Sequence, residues 1–164
     1  MTDILLDACV MLEILRIDET ILHYIGRFAR PTFISKMLSE VPSLTEEVIE
    51  TYGIKVIDAH WEDIVQSSID SNTGPLSRQD ILFFLTAKRL GDTCITMDQK
   101  LYERCLSNDV PVYRFFALLK LLVSKKIITK NQAREYVYQS QNNPWIGDDV
   151  INEALRMFEE KENT

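Results

Sequence analysis

The chain has 164 residues, a net charge of −7, 46% hydrophobic and 26% charged residues, and five each of glycine and proline. Such a chain can bury about two thirds of its unfolded surface in one core, and its composition excludes a disordered linker, a collagen-like array and a disulfide scaffold. No apolar run approaches the ~20 residues of a membrane helix, and "MTDILLDACV" lacks the basic start and cleavage site of a signal peptide, so a cytoplasmic protein is expected.

In chain order, residues 4–7 read as a strand. "VMLEILRIDETILHYIGRFA" reads as helical with a break near Asp18, and Pro31 stops it. "TFIS" is a short strand running into a helix through "KMLSEV", closed by Pro42. "SLTEEVIETYG" has a hydroxyl cap, acids in its first turn and Gly53 at its end, the usual helix punctuation. "IKVIDA" is a strand, "HWEDIVQSSI" an amphipathic helix and "DSNTGPL" a loop. Ser77 opens the helix "SRQDILFFLTAKRLG", which Gly91 ends before the strand "TCIT". "QKLYERCLSND" is helical, and "VPVYR" is a last strand. Helices are expected in "FFALLKLLVSKK", "KNQAREYVYQSQ" and "DDVINEALRMFEEK".

Five short strands alternating with helices imply right-handed crossovers and a parallel sheet covered on both faces, an α/β sandwich with a helical C-terminal extension. The expected division is a domain over residues 1–113 and an extension over 114–164. The extension is too short to stand alone, and it is expected to dock on the domain or on a partner chain.

Two strands end in carboxylates. "ILLDACV" leads into Asp7, and "TCITMDQK" into Thr96 and Asp98. Ligands of open parallel sheets bind beyond the carboxyl ends of strands where the strand order reverses, so neighbouring first and fourth strands would bring Asp7 and Asp98 together. Glu40, after the second strand, and Asp80, in the first turn of the helix feeding the fourth, are the further candidates. Each acid has a plainer reading: Asp7 and Asp98 as helix caps, Asp80 as the partner of Ser77 in a capping box, Glu40 as a solvated helix residue. Both readings stand at this level.

Electrostatics separates what a cluster of four would be for. Two carboxylates ~5 Å apart repel by about 3 kcal/mol at an effective dielectric of about 20. Hard divalent ions with oxygen ligands, Mg²⁺ or Mn²⁺, suit such a site, and His23 and His60 lie in unrelated segments. Such an ion activates water and stabilises charge on an attacked phosphate, and Thr96 is placed to donate a hydrogen bond there. Cys9, Cys94 and Cys105 have neither zinc-site spacing nor a disulfide pattern and are expected as core thiols. Between Arg114 and Arg134 lie six basic residues and no acid, either a solvated helix face or a phosphate-contacting surface of Arg114, Lys120, Lys125 and Lys126.

The ordered set "ILLDACV", "SEV", "LSRQDILFFLTAKRLG" and "CITMDQKL" resembles the PIN-domain family of metal-dependent ribonucleases, over roughly residues 3–113. The resemblance implies a three-layer α/β/α sandwich with strand order 3-2-1-4-5. It also implies Mg²⁺ or Mn²⁺, an RNA substrate, frequent homodimers and, for a toxin of a toxin and antitoxin pair, an antitoxin protein as partner. It carries the site over to Asp7, Glu40, Asp80 and Asp98 as metal-coordinating acids, with Thr96 beside them. The tail is similar to the helical extension of one prokaryotic PIN subgroup. Two readings compete: a PIN-type endoribonuclease hydrolysing phosphodiester bonds, and a PIN-like non-catalytic module binding RNA or protein. A haloacid dehalogenase type of phosphatase is disfavoured, because Cys9 stands where that chemistry wants a second Asp.

Overall fold

The computed structural model describes residues 1–159; the expected helical residues 160 and 161 lie outside them. Five parallel strands, β1 (Asp3–Leu6), β2 (Arg30–Ile34), β3 (Lys55–Ile57), β4 (Thr93–Thr96) and β5 (Val112–Arg114), form one sheet in the order β3-β2-β1-β4-β5. Between them run α1 (Ala8–Ile17), α2 (Thr20–Gly26), α3 (Glu46–Tyr52), α4 (Trp61–Asp70), α5 (Arg78–Leu90) and α6 (Gln99–Ser107). The chain is thus an α/β fold with the expected strand order, and it continues into α7 (Phe115–Ser124), α8 (Lys130–Ser140) and α9 (Asp148–Glu159). Among the described residues no helix is long and apolar enough to cross a membrane.

The central strands are apolar because both faces of a parallel sheet are covered: Ile4, Leu5 and Leu6 in β1 and Cys94 and Ile95 in β4 are fully or almost fully buried. Pro31 sits inside β2 instead of before it. The Arg30 amide donates to Thr2 O at 2.8 Å, so the next amide would face the other neighbour, and β3 pairs only from Thr32 onward. The donor that proline lacks is therefore missing where no partner strand yet stands.

The helix break expected near Asp18 is present; that residue is the extended C-cap of α1. The helix expected through Glu40 is instead a 3-10 helix over Ser35–Glu40. Only a few residues separate β2 from Pro42, and proline holds Val41 out of the α region, so the chain takes the tighter turn.

The extension docks on the chain itself. Tyr136 Oη donates to Asp18 Oδ2 at 2.7 Å, Arg16 Nη2 donates to Gln139 O at 3.2 Å, and Asn143 Nδ2 donates to Glu13, all joining the tail to α1. Leu118, Leu119, Leu122, Val137 and Ile151 belong to the same buried cluster as Leu5, Val10 and Ile95. Sheet and tail share one core.

A shared core predicts one cooperative unfolding transition. Leu119→Ala removes a fully buried side chain and should cost about 2–5 kcal/mol. The urea midpoint should fall equally whether followed by far-UV circular dichroism or by the NMR amide signals of the tail helices α8 and α9. Separate transitions would show the tail folding as an independent unit.

Candidate active site

The crossover from β1 to β4 positions the first carboxylate. Leu6 pairs with Ile95, and one step further the Asp7 amide donates to Ile95 O at 3.1 Å, bringing Asp7 level with Thr96. Asp7 is only 3% exposed. Its Oδ1 accepts from the Ala8 amide at 2.8 Å, capping α1, and its Oδ2 accepts from Thr96 Oγ1 at 2.9 Å and Cys9 Sγ at 3.1 Å.

Thr96 joins the two strand-end acids. Its hydroxyl donates to Asp7 and accepts from the Asp98 amide at 3.1 Å, while Asp98 Oδ1 accepts from the Leu101 amide at 2.8 Å and caps α6. Because Thr96 is fully buried and its proton is committed to Asp7, it positions that carboxylate instead of donating directly to a ligand as expected from the sequence. Ser77 Oγ accepts from the Asp80 amide at 3.1 Å, which holds Asp80 in the first turn of α5.

All four acids, Asp7, Glu40, Asp80 and Asp98, line one cavity of about 1080 Å³ at the carboxyl end of the sheet. Their charges act on one another. Burial lifts the Asp7 carboxyl to about 6, against the hydrogen bonds from Cys9 and Thr96, and Asp80 adds to the rise. Asp80 is raised by its own burial and then by Asp98, and Glu40 by burial and then by Asp80. Asp80 is thus the electrostatic centre of the group. Among the described residues none of the four forms an ion pair.

The donor chemistry fits a hard divalent cation: four carboxylates line one cavity, their repulsion unrelieved by a paired base. As the side chains stand, among the described residues no group of three or more His, Cys, Asp or Glu is gathered tightly enough to hold an ion. Asp7 is fixed by its hydrogen bonds, so the adjustment falls to Glu40, Asp80 and Asp98.

Of the four basic residues expected to meet RNA, the structure brings only Arg114 to the cavity, at the start of α7. Lys120 is exposed along that helix. Lys125 and Lys126 follow its other end, about 15 Å away by helix rise, with Lys125 Nζ 5.4 Å from the Phe28 ring centre.

Sequence reading missed three participants. Cys9, expected as a core thiol, is half-buried against the cavity and donates to Asp7, because the first turn of α1 faces the site; burial pushes its thiol up and keeps it protonated. Glu13 is 1% exposed and is held by Arg16 and Asn143. Its signal was present: it falls three residues after Val10, on the apolar face of α1. Trp145 and α9 line the same cavity as the acids, a long-range placement that no local pattern announces.

Asp7 makes stability pH-dependent. An acid raised from an ordinary 3.8 to about 6 binds its proton more tightly in the folded chain, so its contribution is intact below about pH 4, drains towards pH 6 and stays low above it. The loss amounts to about 3 kcal/mol. With chelator present, Asp7→Asn, which keeps a capping side chain, should exceed wild type by about 1–3 kcal/mol at pH 7.5 in urea denaturation and lose that advantage at pH 4. Asp80→Asn should bring the Asp7 titration below about 6, read from its carboxyl carbon by NMR; an unmoved titration would remove Asp80 from the centre of the group.

No protein-family model matches the chain, and no curated protein matches it significantly.

Proposed function

We propose that this chain is a divalent-metal-dependent endoribonuclease of PIN type. The observation that carries the reading is that four acids dispersed over more than half the chain, Asp7, Glu40, Asp80 and Asp98, line a single cavity, where Asp80 helps to raise Asp7 and Glu40 and is itself raised in part by Asp98. The strand order β3-β2-β1-β4-β5 and the motifs around these acids support the family resemblance. Mg²⁺ or Mn²⁺, if bound by the carboxylates, would supply water activation and charge stabilisation for phosphodiester hydrolysis.

The chain's own residues divide the remaining work. Asp7 and Asp98 would hold the ion from the ends of adjacent strands. Thr96 keeps Asp7 oriented, Asp80 and Glu40 complete the negative field that attracts the ion, and Arg114 meets phosphate at the cavity edge. The N-termini of α1, α5 and α6 face the same place, and their partial positive charge favours both the carboxylates and an incoming phosphate. A second reading, a non-catalytic RNA-binding or protein-binding module, is favoured by one observation: both Asp7 oxygens are already engaged by protein donors.

Cleavage of a mixed RNA pool in Mn²⁺ tests the choice. Asp98→Asn retains a good helix cap while removing the charge, so a folded variant should cut at least about 100-fold more slowly than wild type. Cutting that persists in Asp98→Asn and Asp7→Asn, or in excess chelator, rejects the metal-dependent reading; folded wild type that binds Mn²⁺ without cutting supports the binding module.

A further inference from the structure

The cavity is larger than an ion needs, and its lining is mixed in chemistry. The four acids line it at the carboxyl end of the sheet. The loop before α9 and α9 itself contribute Trp145, Ile146, Val150, Ala154 and Met157, with Glu153 as the one acid among them. A volume of about 1080 Å³ is that of a site for a whole ligand, one with a charged end and a flat apolar end.

Trp145 is built to be available. The residue is 93% exposed, yet its backbone is anchored: its amide donates to Asn143 Oδ1 at 3.0 Å, and Asn143 in turn donates to the buried Glu13. The Ile146 amide closes the turn on Asn143 O at 3.1 Å. A fixed backbone thus presents a free indole at the cavity. A lone exposed tryptophan carries no meaning; one on an anchored loop that lines the same cavity as four carboxylates does.

Arg114 gives the second observation. Its guanidinium lies 5.0 Å from the Tyr102 ring centre, and its Nε is buried with no hydrogen-bond partner among the described residues, although the side chain lines the cavity. A held guanidinium with an idle donor suits an anionic oxygen.

We propose that the Asn143–Gly147 loop and α9 form a base-binding subsite, in which an unpaired base of an RNA strand stacks on the Trp145 indole while its phosphate meets Arg114 and the ion held by the acids. The phosphate half rests on the ribonuclease reading above; the stacking half stands on Trp145. Aromatic stacking takes any base, so the subsite selects unpaired nucleotides over paired ones and does not read sequence.

The chain has two tryptophans, and Trp61 lies outside the cavity on α4, so Trp61→Phe leaves Trp145 as the only indole reporter. That variant is titrated in Mg²⁺ with short single-stranded oligouridylate, oligoadenylate and an abasic oligomer of equal length. Trp145 fluorescence should fall to roughly half with both base-bearing strands and stay unchanged with the abasic one. With labelled oligonucleotide, Trp145→Ala should weaken binding about 10-fold or more and Trp145→Phe should recover part of it, and neither change disturbs a buried contact. Strands that bind without quenching, or a Trp145→Ala variant of unchanged affinity, overturn the subsite. Cleavage without any Trp145 response rejects the subsite alone, stacking without cleavage rejects the ribonuclease reading alone, and no binding by any oligomer rejects both.

Discussion

The structure turns on the junction between β1 and β4, where the Asp7 amide meets Ile95 O and the Asp7 carboxylate meets the Thr96 hydroxyl. That junction lies where strand order reverses, the place at which a parallel sheet opens between helices running to opposite faces. A carboxylate buried there is costly on its own. It is tolerated because three donors, the Ala8 amide, the Cys9 thiol and the Thr96 hydroxyl, converge on it, yet its pKa stays high because burial outweighs them. The residue is held in place without being made comfortable, which suits a group whose partner is something the polypeptide does not contain.

Capping and site formation prove to be one arrangement and not rival explanations of the same acids. Asp7 caps α1, Asp98 caps α6, and Asp80 stands in the first turn of α5 under the Ser77 cap. In a parallel α/β fold, the helices that follow strands begin at the carboxyl edge of the sheet, where the ligand crevice also lies. Acids chosen to satisfy orphan amides are therefore delivered to the crevice by topology. What capping alone does not demand is that three such acids and Glu40 share one cavity, with Asp80 close enough to shift both Asp7 and Glu40.

The architecture and the acid set were legible because both are written locally. The strands read as short apolar runs, Gly53 and Gly91 take the left-handed conformation that ends α3 and α5, and the strand ends carry their acids in plain view. Elsewhere local pattern misled. "KMLSEV" looks helical, but the short span before Pro42 tightens it into a 3-10 turn that sets where Glu40 stands. The basic run after Arg114 looks like one surface along the sequence, but α7 carries Arg114 into the cavity and Lys125 and Lys126 away from it. Cys9 and Glu13 were less legible, because the cavity that Cys9 lines and the Asn143 that meets Glu13 are brought to α1 from distant parts of the chain.

The extension changes what the crevice is. Without α9 and the loop before it, the acids would face open solvent, where charges are screened and an ion is held by little beyond its ligands. With them, the carboxylates share a cavity with Ile146, Val150, Ala154 and Met157 as well as Glu153, less water reaches them, and charges in the cavity act more strongly on one another. This lining is held by a buried charge of its own: Glu13 would be costly unpaired, and the groups that satisfy it are Arg16, from its own helix, and Asn143, from the start of the tail loop. Displacing that loop would thus leave Glu13 short of a donor as well as opening the cavity. The tail is coupled to the site through α1, the helix that Asp7 caps, so the element that begins at the acid-lined end of the sheet is also the one that holds the tail beside the cavity.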